Sequence, residues 1–424
     1  MRKAAGTLIG KSASRVVRMR GRSAGQALPG LIVETLVPGY LGVMLTQLPE
    51  GVVIVTGTNG KTTTTKMIVE VLQVNGKRVL TNATGSNLTR GIISSISQRA
   101  TPGGRLPFDI AVFELDEAYA HQFTNAIKPR FVLALNASRD QLDRYGEVDT
   151  VAKLIGDAML SATDRIVTNA DDPRLLAIAQ QANVPSDYFG VAVGLRKFFP
   201  RDDELVAVGS PKMYVKAPSD TLAVELASFK GSQATYRIGK QRIQTKLEVT
   251  GQHNFQNAAG ALALLRVLLP KVQITQIVKQ LSMVQPAFGR GEIFHLKDGS
   301  KLQLNLVKNP ASFRQGIASY VRPNEAVMIA INDKLADSRD VSWLWDIDFT
   351  GLQMSHVAVT TGSRAADMAL RLAYDETTVD IVKPHIDEAL QEFAKLPGDK
   401  VIFASYTAML RLYEILKTKA GKKL

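Results

Sequence analysis

A run that starts at Val55, V-T-G-T-N-G-K-T-T-T-T, has the residue types of a phosphate-binding loop. Gly57 and Gly60 would let backbone N–H groups approach phosphate oxygens, and the helix expected after them would add positive potential at its N-terminus. Lys61 is placed to reach the β and γ phosphates of a nucleotide, and Thr62 offers a hydroxyl group to Mg²⁺. The usual spacing G-x-x-x-x-G-K-[ST] needs a glycine where Val55 stands, so the rest of the chain must identify the chemistry of this variant. We expect the nucleotide to contact Gly57, Thr58, Asn59, Gly60, Lys61, Thr62 and Thr63.

Carboxylate and amide side chains follow two other apolar runs, at the ends of predicted strands. V-F-E-L contains Glu114, with Asp116 and Glu117 just beyond it, and L-A-L-N ends at Asn136. Because ligands of an open parallel sheet bind at the carboxyl ends of its strands, we expect these side chains beside the phosphate loop. Glu114 is therefore predicted to bind Mg²⁺ together with Thr62. For Asp116 and Glu117, capping of the next helix is an equally good explanation.

Two later motifs add polar side chains to the predicted ligand site. H-N-F-Q-N, from His253, lies at the start of a predicted helix. There we expect Asn257 to face a purine, while Asn254 is explained equally well as a helix cap. G-R-G-E places Arg290 in a predicted connector, where it would move onto the γ-phosphate as two domains close. Asn257 and Arg290 thus join the predicted nucleotide-binding residues.

The elements that would position these residues form two α/β alternations. From residue 52, short apolar runs alternate with amphipathic helical patterns, which predicts an α/β fold with a parallel sheet covered on both faces. We predict a nucleotide-binding domain over residues 1–290, with a β-rich insertion at about 190–250, and a second α/β domain over 291–424. A ligand cleft is expected between the two domains.

Charge and composition limit the function classes. The net charge of +13 comes mainly from the two ends, where seven cations precede the first acid, Glu34, and four lysines lie among the last eight residues. The body between lacks a basic stripe with aromatic residues, so nucleic-acid binding is not expected. Attraction of the basic N-terminus to an anionic surface such as lipid headgroups, and a merely solvated basic helix, both stay open. No apolar run is long enough for a membrane span, and a cytoplasmic location is expected.

These motifs resemble those of the ATP-dependent Mur ligases, a family whose relatives include folylpolyglutamate synthase. T-G-T-N-G-K-T is the characteristic form of the phosphate loop in that family. The resemblance spans both predicted domains and implies a central ATPase domain with a parallel sheet, followed by a Rossmann-like α/β domain. The motifs that carry it are T-G-T-N-G-K-T-T, the strand-end Glu114, N-A-D-D-P, the H-N-x-x-N helix, G-R-x-E, R-D-Q-L-D-R-Y-G-E, G-S-N-L-T-R-G, L-V-K-N-P-A-S-F, D-V-S-W-L-W-D-I-D-F, S-R-A-A-D-M-A-L-R-L and Y-T-A-M-L-R-L.

Within the family, the last six of these motifs are most similar to the synthetase subunits of lipid II isoglutaminyl synthase. The resemblance implies that ATP converts the α-carboxyl of D-glutamate in the lipid II stem peptide into an acyl phosphate, at the inner face of the cell membrane. Ammonia then attacks to give D-isoglutamine for peptidoglycan biosynthesis. The resemblance also implies ATP and Mg²⁺ as cofactors, bound by the residues named above. Lys308, from V-K-N-P, joins Lys61 as a candidate catalytic residue that contacts the phosphate or acyl phosphate.

The ammonia must come from glutamine, and this chain has no cysteine and only five histidines. It therefore lacks the Cys-His pair of a typical glutamine amidohydrolase, and a partner must supply that pair. The resemblance implies that the partner is a GatD-like class I glutaminase subunit in a heterodimer, and that an aspartate of the D-S-R-D-V-S-W-L-W-D-I-D stretch orients the partner's Cys-His pair. We favour Asp340, with Asp337, Asp346 and Asp348 as rivals, and with helix capping as the structural alternative.

Three departures limit what the resemblance implies. Gln141 stands where many members have a histidine that binds a second Mg²⁺, and the lysine that many members carbamylate would fall near Ile155, where the nearest lysine is Lys153. Carbamylation is therefore not predicted. Related proteins often hold a four-cysteine zinc ribbon, which a chain without cysteine cannot form, so no zinc is expected.

Two other functions fit part of the same pattern. One is a folylpolyglutamate-synthase-like ligase that adds an amino acid, and the other is a non-catalytic regulatory protein that binds a nucleotide. The identity of the product separates the two ligases. Loss of turnover on replacement of Lys61 by Ala separates an enzyme from a regulator.

Overall fold

The protein is described by a computed structural model over residues 2–19, 27–82, 89–138, 148–199, 222–249, 251–286 and 289–420. Two sheets organise this part of the chain, and each has an apolar core on both of its faces. Strand residues alternate between the two cores, as Val53 and Ile54 do in the first sheet. The predicted α/β fold is confirmed, because strands buried on both faces read as continuous apolar runs.

The first sheet has nine strands in the order β2-β3-β1-β4-β5-β6-β7-β8-β9. The first seven strands of the chain pair in parallel, and the last two add an antiparallel edge. The strands are β1 Val52–Thr56, β2 Val79–Thr81, β3 Ile110–Glu114, β4 Phe131–Ala134, β5 Arg165–Asn169, β6 Ser186–Val191, β7 Leu222–Lys230, β8 Gln233–Ile238 and β9 Gln241–Lys246. The stretch predicted as a β-rich insertion thus continues this sheet through β7, β8 and β9, and its residues 200–221 lie outside the described part of the chain.

The second sheet has six strands in the order β10-β11-β15-β12-β13-β14. Only β10 is antiparallel to its neighbour. The strands are β10 Arg290–His295, β11 Lys301–Leu306, β12 Ala326–Ala330, β13 His356–Thr361, β14 Val379–Lys383 and β15 Lys400–Ala404. Arg290 therefore opens a strand, whereas the sequence pattern placed it in a connector, because Gly289 and Gly291 interrupt the apolar alternation at that point.

Fourteen α-helices occur in the described residues. They are α1 Arg2–Met19, α2 Leu28–Leu36, α3 Tyr40–Leu45, α4 Lys61–Val74, α5 Thr89–Arg99, α6 Glu117–Ala126, α7 Val148–Leu160, α8 Pro173–Ala179, α9 Gln252–Leu268, α10 Ile274–Ser282, α11 Pro310–Tyr320, α12 Ala365–Tyr374, α13 Ile386–Ala394 and α14 Tyr406–Ala420. The N-terminal helices α1 and α2 pack on each other and on α5. In the described part of the chain, none of these helices has the length and apolar content of a membrane span.

Strand β1 lies between β3 and β4, so β2 and β3 are on one side of it and the connection from β3 to β4 crosses to the other side. Such a reversal opens a crevice beyond the carboxyl end of the central strand, where ligands of open parallel sheets bind. The loop from Gly57 to Gly60 leaves β1 at this crevice and leads directly into α4. The predicted phosphate loop therefore occupies the position at which this fold class binds ligands.

Candidate active site

The phosphate loop joins a fully buried strand to a helix, which is the context that its sequence requires. Gly60 precedes α4 with a φ of 87°, a left-handed conformation that glycine adopts without strain. A Cβ atom at Gly60 would lie 2.2 Å from the Oδ1 atom of Asn257 on α9. Gly60 is therefore required both for its conformation and for the close contact that brings Asn257 against the loop.

Lys61 is 5% exposed and is held by groups of its own loop and by acids on α6. Its Nζ atom donates a hydrogen bond to the Gly57 carbonyl at 2.6 Å and lies 2.8 Å from Oδ1 of Asp116 and 3.7 Å from Oε1 of Glu117. The Lys61 ammonium, more than any other group, lowers the pKa of Asp116. Asp116 occupies the N-cap position of α6 but makes no capping bond with its side chain, so it holds Lys61 instead.

Lys308, which follows a strand of the second sheet, acts on the same carboxylate, that of Asp116. Its ammonium lowers the pKa of Asp116 by less than Lys61 does, while burial raises that pKa. Lys308 follows β11 and precedes α11, so it lies at a strand end like the phosphate loop itself. Asn309, the next residue, donates its amide to the Asn59 side chain at 3.1 Å, so the loop that carries Lys308 meets the phosphate loop that carries Lys61.

Thr62, Glu114 and Arg290 form a second cluster beside the loop. The Thr62 hydroxyl donates to Oε1 of Glu114 at 2.8 Å, and Nη2 of Arg290 lies 3.3 Å from the same hydroxyl. Asn82 fixes the end of β3 by two bonds to the Glu114 backbone, at 2.7 and 2.9 Å. Burial lowers the pKa of Arg290, and Glu114 and Tyr320 partly oppose that effect.

The Thr62–Glu114 pair fits a magnesium ion. Two neighbouring ligands of octahedral Mg²⁺ lie about 2.9 Å apart, because each is about 2.0–2.1 Å from the ion. The oxygen atoms of Thr62 and Glu114 already have this spacing. No cluster of three or more acidic or histidine ligands occurs in the described residues, and Mg²⁺ in nucleotide sites is usually held by one or two protein oxygens together with phosphates and water.

Three asparagines connect the phosphate loop to both sheets. Asn136, just beyond β4, accepts from the Asn59 backbone N–H at 2.9 Å and donates to the Asn59 carbonyl at 3.0 Å. Asn309 caps α11 through a bond to the backbone of Ser312 and also donates its amide to the Asn59 side chain at 3.1 Å. The sequence pattern singled out Asn59 and Asn136 but not Asn309, whose role depends on the approach of the second sheet.

The H-N-x-x-N motif lies at the other side of the loop, at the start of α9. Asn254 is within the helix, where it accepts a bond from Asn257 at 3.1 Å, so the capping explanation is wrong and Gly251 takes the N-cap position. His253 packs edge-on against the ring of Tyr320, with centroids 6.1 Å apart. Burial, with a smaller contribution from Arg290, lowers the pKa of His253 to about 4, so its imidazole is neutral at physiological pH.

A cleft of about 1220 Å³, including its open mouth, lies between the two sheets beside these groups. Of the predicted residues, Asn59, Gly60, Thr63, Asn257 and Arg290 line it. The motif N-A-D-D-P, which had no individual residue role in the sequence analysis, contributes Asp171 and Asp172 to the same wall. Asp172 accepts from the Ala137 backbone at 2.7 Å and caps α8, which ties the ends of β4 and β5 together.

The aspartate segment, which we define as residues 333–348, lies in the second half of the chain. Oδ1 of Asp340 accepts from the Ser342 backbone at 2.8 Å, and Asp348 makes the same kind of turn with Thr350. Asp337 is committed to α14, because it accepts from both the backbone N–H and the hydroxyl of Thr407 at 2.7 and 2.6 Å. Asp346 is exposed. The structure thus separates Asp337 from its rivals but does not itself choose among the others.

Other residues from the sequence analysis fall in different places. Ile155 is fully buried in α7, and Lys153 on the same helix is exposed. Gln141 and the rest of R-D-Q-L-D-R-Y-G-E, together with most of G-S-N-L-T-R-G, lie outside the described residues.

Two family models match the chain. The model described as Mur ligase middle domain matches residues 55–265, and the model described as MurT ligase C-terminal matches residues 306–409. The first match contains the phosphate loop and the H-N-x-x-N helix. The second contains Lys308, Asn309 and the aspartate segment.

Similar proteins extend over almost the whole chain. The MurT subunit of lipid II isoglutaminyl synthase (glutamine-hydrolyzing) from Staphylococcus aureus (strain COL) is 28% identical over 96% of this chain and 95% of its own length. The subunit of the same name from Streptococcus pneumoniae (strain R6) is also 28% identical, over 98% of this chain and 97% of its own length. The solved structure of MurF ligase from Thermotoga maritima in complex with ADP has the same fold, with a TM-score of 0.66, 18% identity and coverage of 90% of this chain and 83% of that one.

Proposed function

Because the chain belongs to the Mur ligase family, and is therefore an ATP-dependent ligase, we propose that it amidates the α-carboxyl of D-glutamate in the lipid II stem peptide. The product is D-isoglutamine, and the reaction belongs to peptidoglycan biosynthesis. The observation that carries the proposal is the contact of the Lys308–Asn309 turn with the phosphate loop, where Asn309 donates to Asn59 at 3.1 Å, in a chain similar over 96% of its length to a lipid II isoglutaminyl synthase subunit.

The proposed reaction has two steps. A carboxylate oxygen of the substrate attacks the γ-phosphorus of ATP, which releases ADP and forms an acyl phosphate. Ammonia then attacks the acyl carbon, phosphate leaves, and the nitrogen loses a proton to give the amide. Both steps concentrate negative charge on oxygens that leave or transfer, and cations fixed beside them stabilise that charge.

The geometry supports a division of these tasks among the residues of the chain. Lys61 must leave Asp116 and turn toward the β and γ phosphates, while backbone N–H groups of the loop hold the phosphate chain. Lys308 and Arg290 reach the loop from the second sheet and stabilise the transferred phosphoryl group. Thr62 and Glu114 would hold Mg²⁺, which when bound neutralises charge on the phosphate oxygens.

The purine is assigned to the side of the cleft formed by the start of α9. Asn257 has an amide that can both donate to and accept from a base edge, and the neutral His253 imidazole can do the same. Tyr320 closes this side with its ring. A neutral imidazole is required here because a cation would be repelled by the nearby Arg290.

The nitrogen source is assigned to a second subunit. The chain contains no cysteine, so it cannot supply the thiol nucleophile of a glutaminase. We assign that nucleophile to a class I glutaminase partner of the GatD type, and we assign to Asp340 the orientation of the partner's histidine. Asp340 is partly exposed, and its carboxylate accepts a hydrogen bond from the Ser342 backbone in its own turn. A partner can therefore reach this carboxylate.

The surface around the aspartate segment has the residue types of a protein interface. Trp345 and Tyr374 are 50% and 70% exposed and pack edge to face, with centroids 5.1 Å apart. The Arg371 guanidinium lies 5.5 Å from the centre of the Trp345 ring, and Leu335 and Met354 add exposed apolar surface. Tryptophan and tyrosine are enriched among the side chains that contribute most to binding at the centres of protein interfaces, and the buried Arg371 supports the Trp345 ring from beneath.

Product analysis tests the proposal directly. The chain is incubated with ATP, Mg²⁺, lipid II and ammonium chloride, and the stem peptide is identified by mass spectrometry together with the release of ADP. We expect D-isoglutamine in an amount that matches the ADP. Incorporation of an amino acid in place of ammonia would assign the chain to the folylpolyglutamate-synthase-like alternative, and nucleotide binding without any ADP release would assign it to the regulatory one.

A further inference from the structure

Helix α1 has one face that packs on the protein and one that does not. Gly6, Gly10 and Ser14 lie on the packed face, where a Cβ atom at Gly6 would be 2.3 Å from the Tyr40 ring and one at Gly10 would be 2.3 Å from the Ser97 hydroxyl. The close approach of α1 to its neighbours fixes the rotation of the helix. The residues of the opposite face are therefore directed away from the protein.

That opposite face carries three large apolar side chains. Leu8 and Val16 are each 51% exposed and Met19 is 81% exposed, and the helical repeat places them within an arc of about 80°, which also holds the exposed Ser12. Helix α2 adds Leu28 and Leu36, which are also exposed. Five of the eighteen large apolar side chains that are exposed in the described part of the chain thus lie between residues 8 and 36. We call Leu8, Val16 and Met19 the α1 face.

Cations outnumber acids in the helices around the α1 face. Helices α1, α2 and α5 carry seven cations and a single acid, Glu34, which pairs with Arg90 at 2.8 Å. Arg15 is exposed at the edge of the α1 face, and Lys11 is anchored by a 2.9 Å bond from its Nζ atom to the Gln98 carbonyl. An apolar strip flanked by lysine and arginine is the composition of a helix that lies in the interface of an anionic lipid layer.

The helix layer is also connected to the active site. Helix α5, on which α1 packs, follows β2 at the edge of the first sheet. Asn82, directly after β2, holds the backbone of Glu114 at the predicted magnesium position. Helix α1 is therefore connected to the predicted magnesium position by its packing on α5 and by the bonds of Asn82, which follows β2, to Glu114.

We propose that the α1 face docks the protein on the surface of a membrane that contains anionic lipids, with its apolar side chains among the acyl chains and its cations at the headgroups. This docking does not depend on the ligase chemistry, although it would place the enzyme beside a lipid-linked substrate. It differs from a membrane span, since the buried face of α1 stays against the protein.

Vesicle cosedimentation tests the proposal with the full-length chain. Vesicles of phosphatidylcholine with phosphatidylglycerol are compared with vesicles of phosphatidylcholine alone, at low and high salt. We expect binding to the anionic vesicles, a decrease with salt because exposed charges are screened, and little binding to the neutral ones. The triple variant Leu8→Ser, Val16→Ser, Met19→Ser should bind about tenfold or more weakly, because each substitution removes apolar surface from the lipid contact.

A matched control changes the same residue types elsewhere. Leu160→Ser, Val193→Ser, Met283→Ser also removes three exposed apolar side chains and should bind vesicles like the wild type. Arg15→Glu, a change of an exposed charge, should weaken binding at low salt and reduce the salt dependence. Thermal melts of all variants should agree, since none of these side chains is buried.

Several outcomes would overturn the proposal. These are absence of binding to anionic vesicles, equal binding by the triple variant and the wild type, binding to a DNA duplex in place of vesicles, or loss of a dimer or of the glutaminase complex in the triple variant. Failure of the ligase proposal has a different signature. In that case the chain would bind vesicles through the α1 face but would form no isoglutamine from lipid II, whether the lipid II is in vesicles or in detergent.

Discussion

Around the phosphate loop, side chains from three parts of the chain hold one another in place, whereas Asp340 and Asp348 of the aspartate segment accept bonds from their own backbone turns. Lys61 is buried between a carbonyl and a carboxylate, and Asn309 reaches the loop from the second sheet. Asp340 is partly exposed, and Trp345 in the same segment is 50% exposed. The difference fits the proposal that the ligation site is assembled within this chain and that a second protein completes the glutamine site.

The largest expected effect is at the loop. Lys61→Ala should lower the rate of amidation about a hundredfold or more with either ammonium or glutamine, because a fixed cation beside the transferred phosphoryl group is lost. Steady-state rates of ADP release measure this. Lys153→Ala, at an exposed lysine of α7, is the control and should match the wild type. Unchanged amidation by Lys61→Ala would remove the loop from the mechanism.

The next effect should appear with only one nitrogen source. In the complex with its glutaminase, Asp340→Asn should lower glutamine-dependent amidation about tenfold or more, because the partner's histidine loses an orienting carboxylate. Ammonium-dependent amidation should stay within about twofold of the wild type, since the ligation site is unchanged. Asp348→Asn, which alters a similar turn, serves as the control. An equal loss with both nitrogen sources would contradict the separation of the two sites.

A smaller effect is expected for the contact between the sheets. Asn309→Ser should raise the KM for ATP about fivefold, because one hydrogen bond across the cleft is lost. Serine is a good N-cap, so the free energy of unfolding should change by less than about 0.5 kcal/mol. ATP titrations and denaturant unfolding measure the two quantities, with Asn183→Ser as an exposed control. A loss of stability without a change in KM would reduce Asn309 to a helix cap.

The last expected effect concerns the pH dependence of stability and not the rate of amidation. The pKa of His253 is lowered to about 4 from 6.5, so between these values the unfolded chain binds a proton that the folded chain does not. The contribution of this histidine to stability is therefore complete above pH 6.5 and declines as the pH falls toward 4. His253→Gln should flatten that decline by about 1–3 kcal/mol, which denaturant unfolding at several pH values measures. Exposed His295→Gln should leave the decline unchanged.

The predicted parts of the site share one property, which is that their partners are near in sequence or lie at the ends of neighbouring strands. The phosphate loop is contiguous, and the place of Glu114 follows from the rule that strand ends meet at one edge of a parallel sheet. The contact between Asn309 and Asn59 joins residues that are 250 positions apart, so no local sequence pattern predicts it. The same holds for Asp116, since its choice between capping α6 and holding Lys61 depends on tertiary distances.

The N-terminal layer illustrates the same limit. The basic composition of the first helix was visible in the sequence, but a solvated helix and a surface-binding helix have the same composition. Only the packing of Gly6 and Gly10 against neighbours shows which face stays exposed. The proposed domain boundary near residue 290 likewise remains a prediction, although the second sheet begins at Arg290.

The central claim is that this chain ligates nitrogen by itself but cannot obtain nitrogen from glutamine. Formation of isoglutamine on lipid II is measured with the purified chain and ATP, with either isotope-labelled ammonium or amide-labelled glutamine, in the absence and presence of the glutaminase. We predict that the chain alone incorporates label from ammonium and none from glutamine, and that the partner restores incorporation from glutamine. Incorporation from glutamine by the chain alone, or none from ammonium under any condition, would contradict the claim.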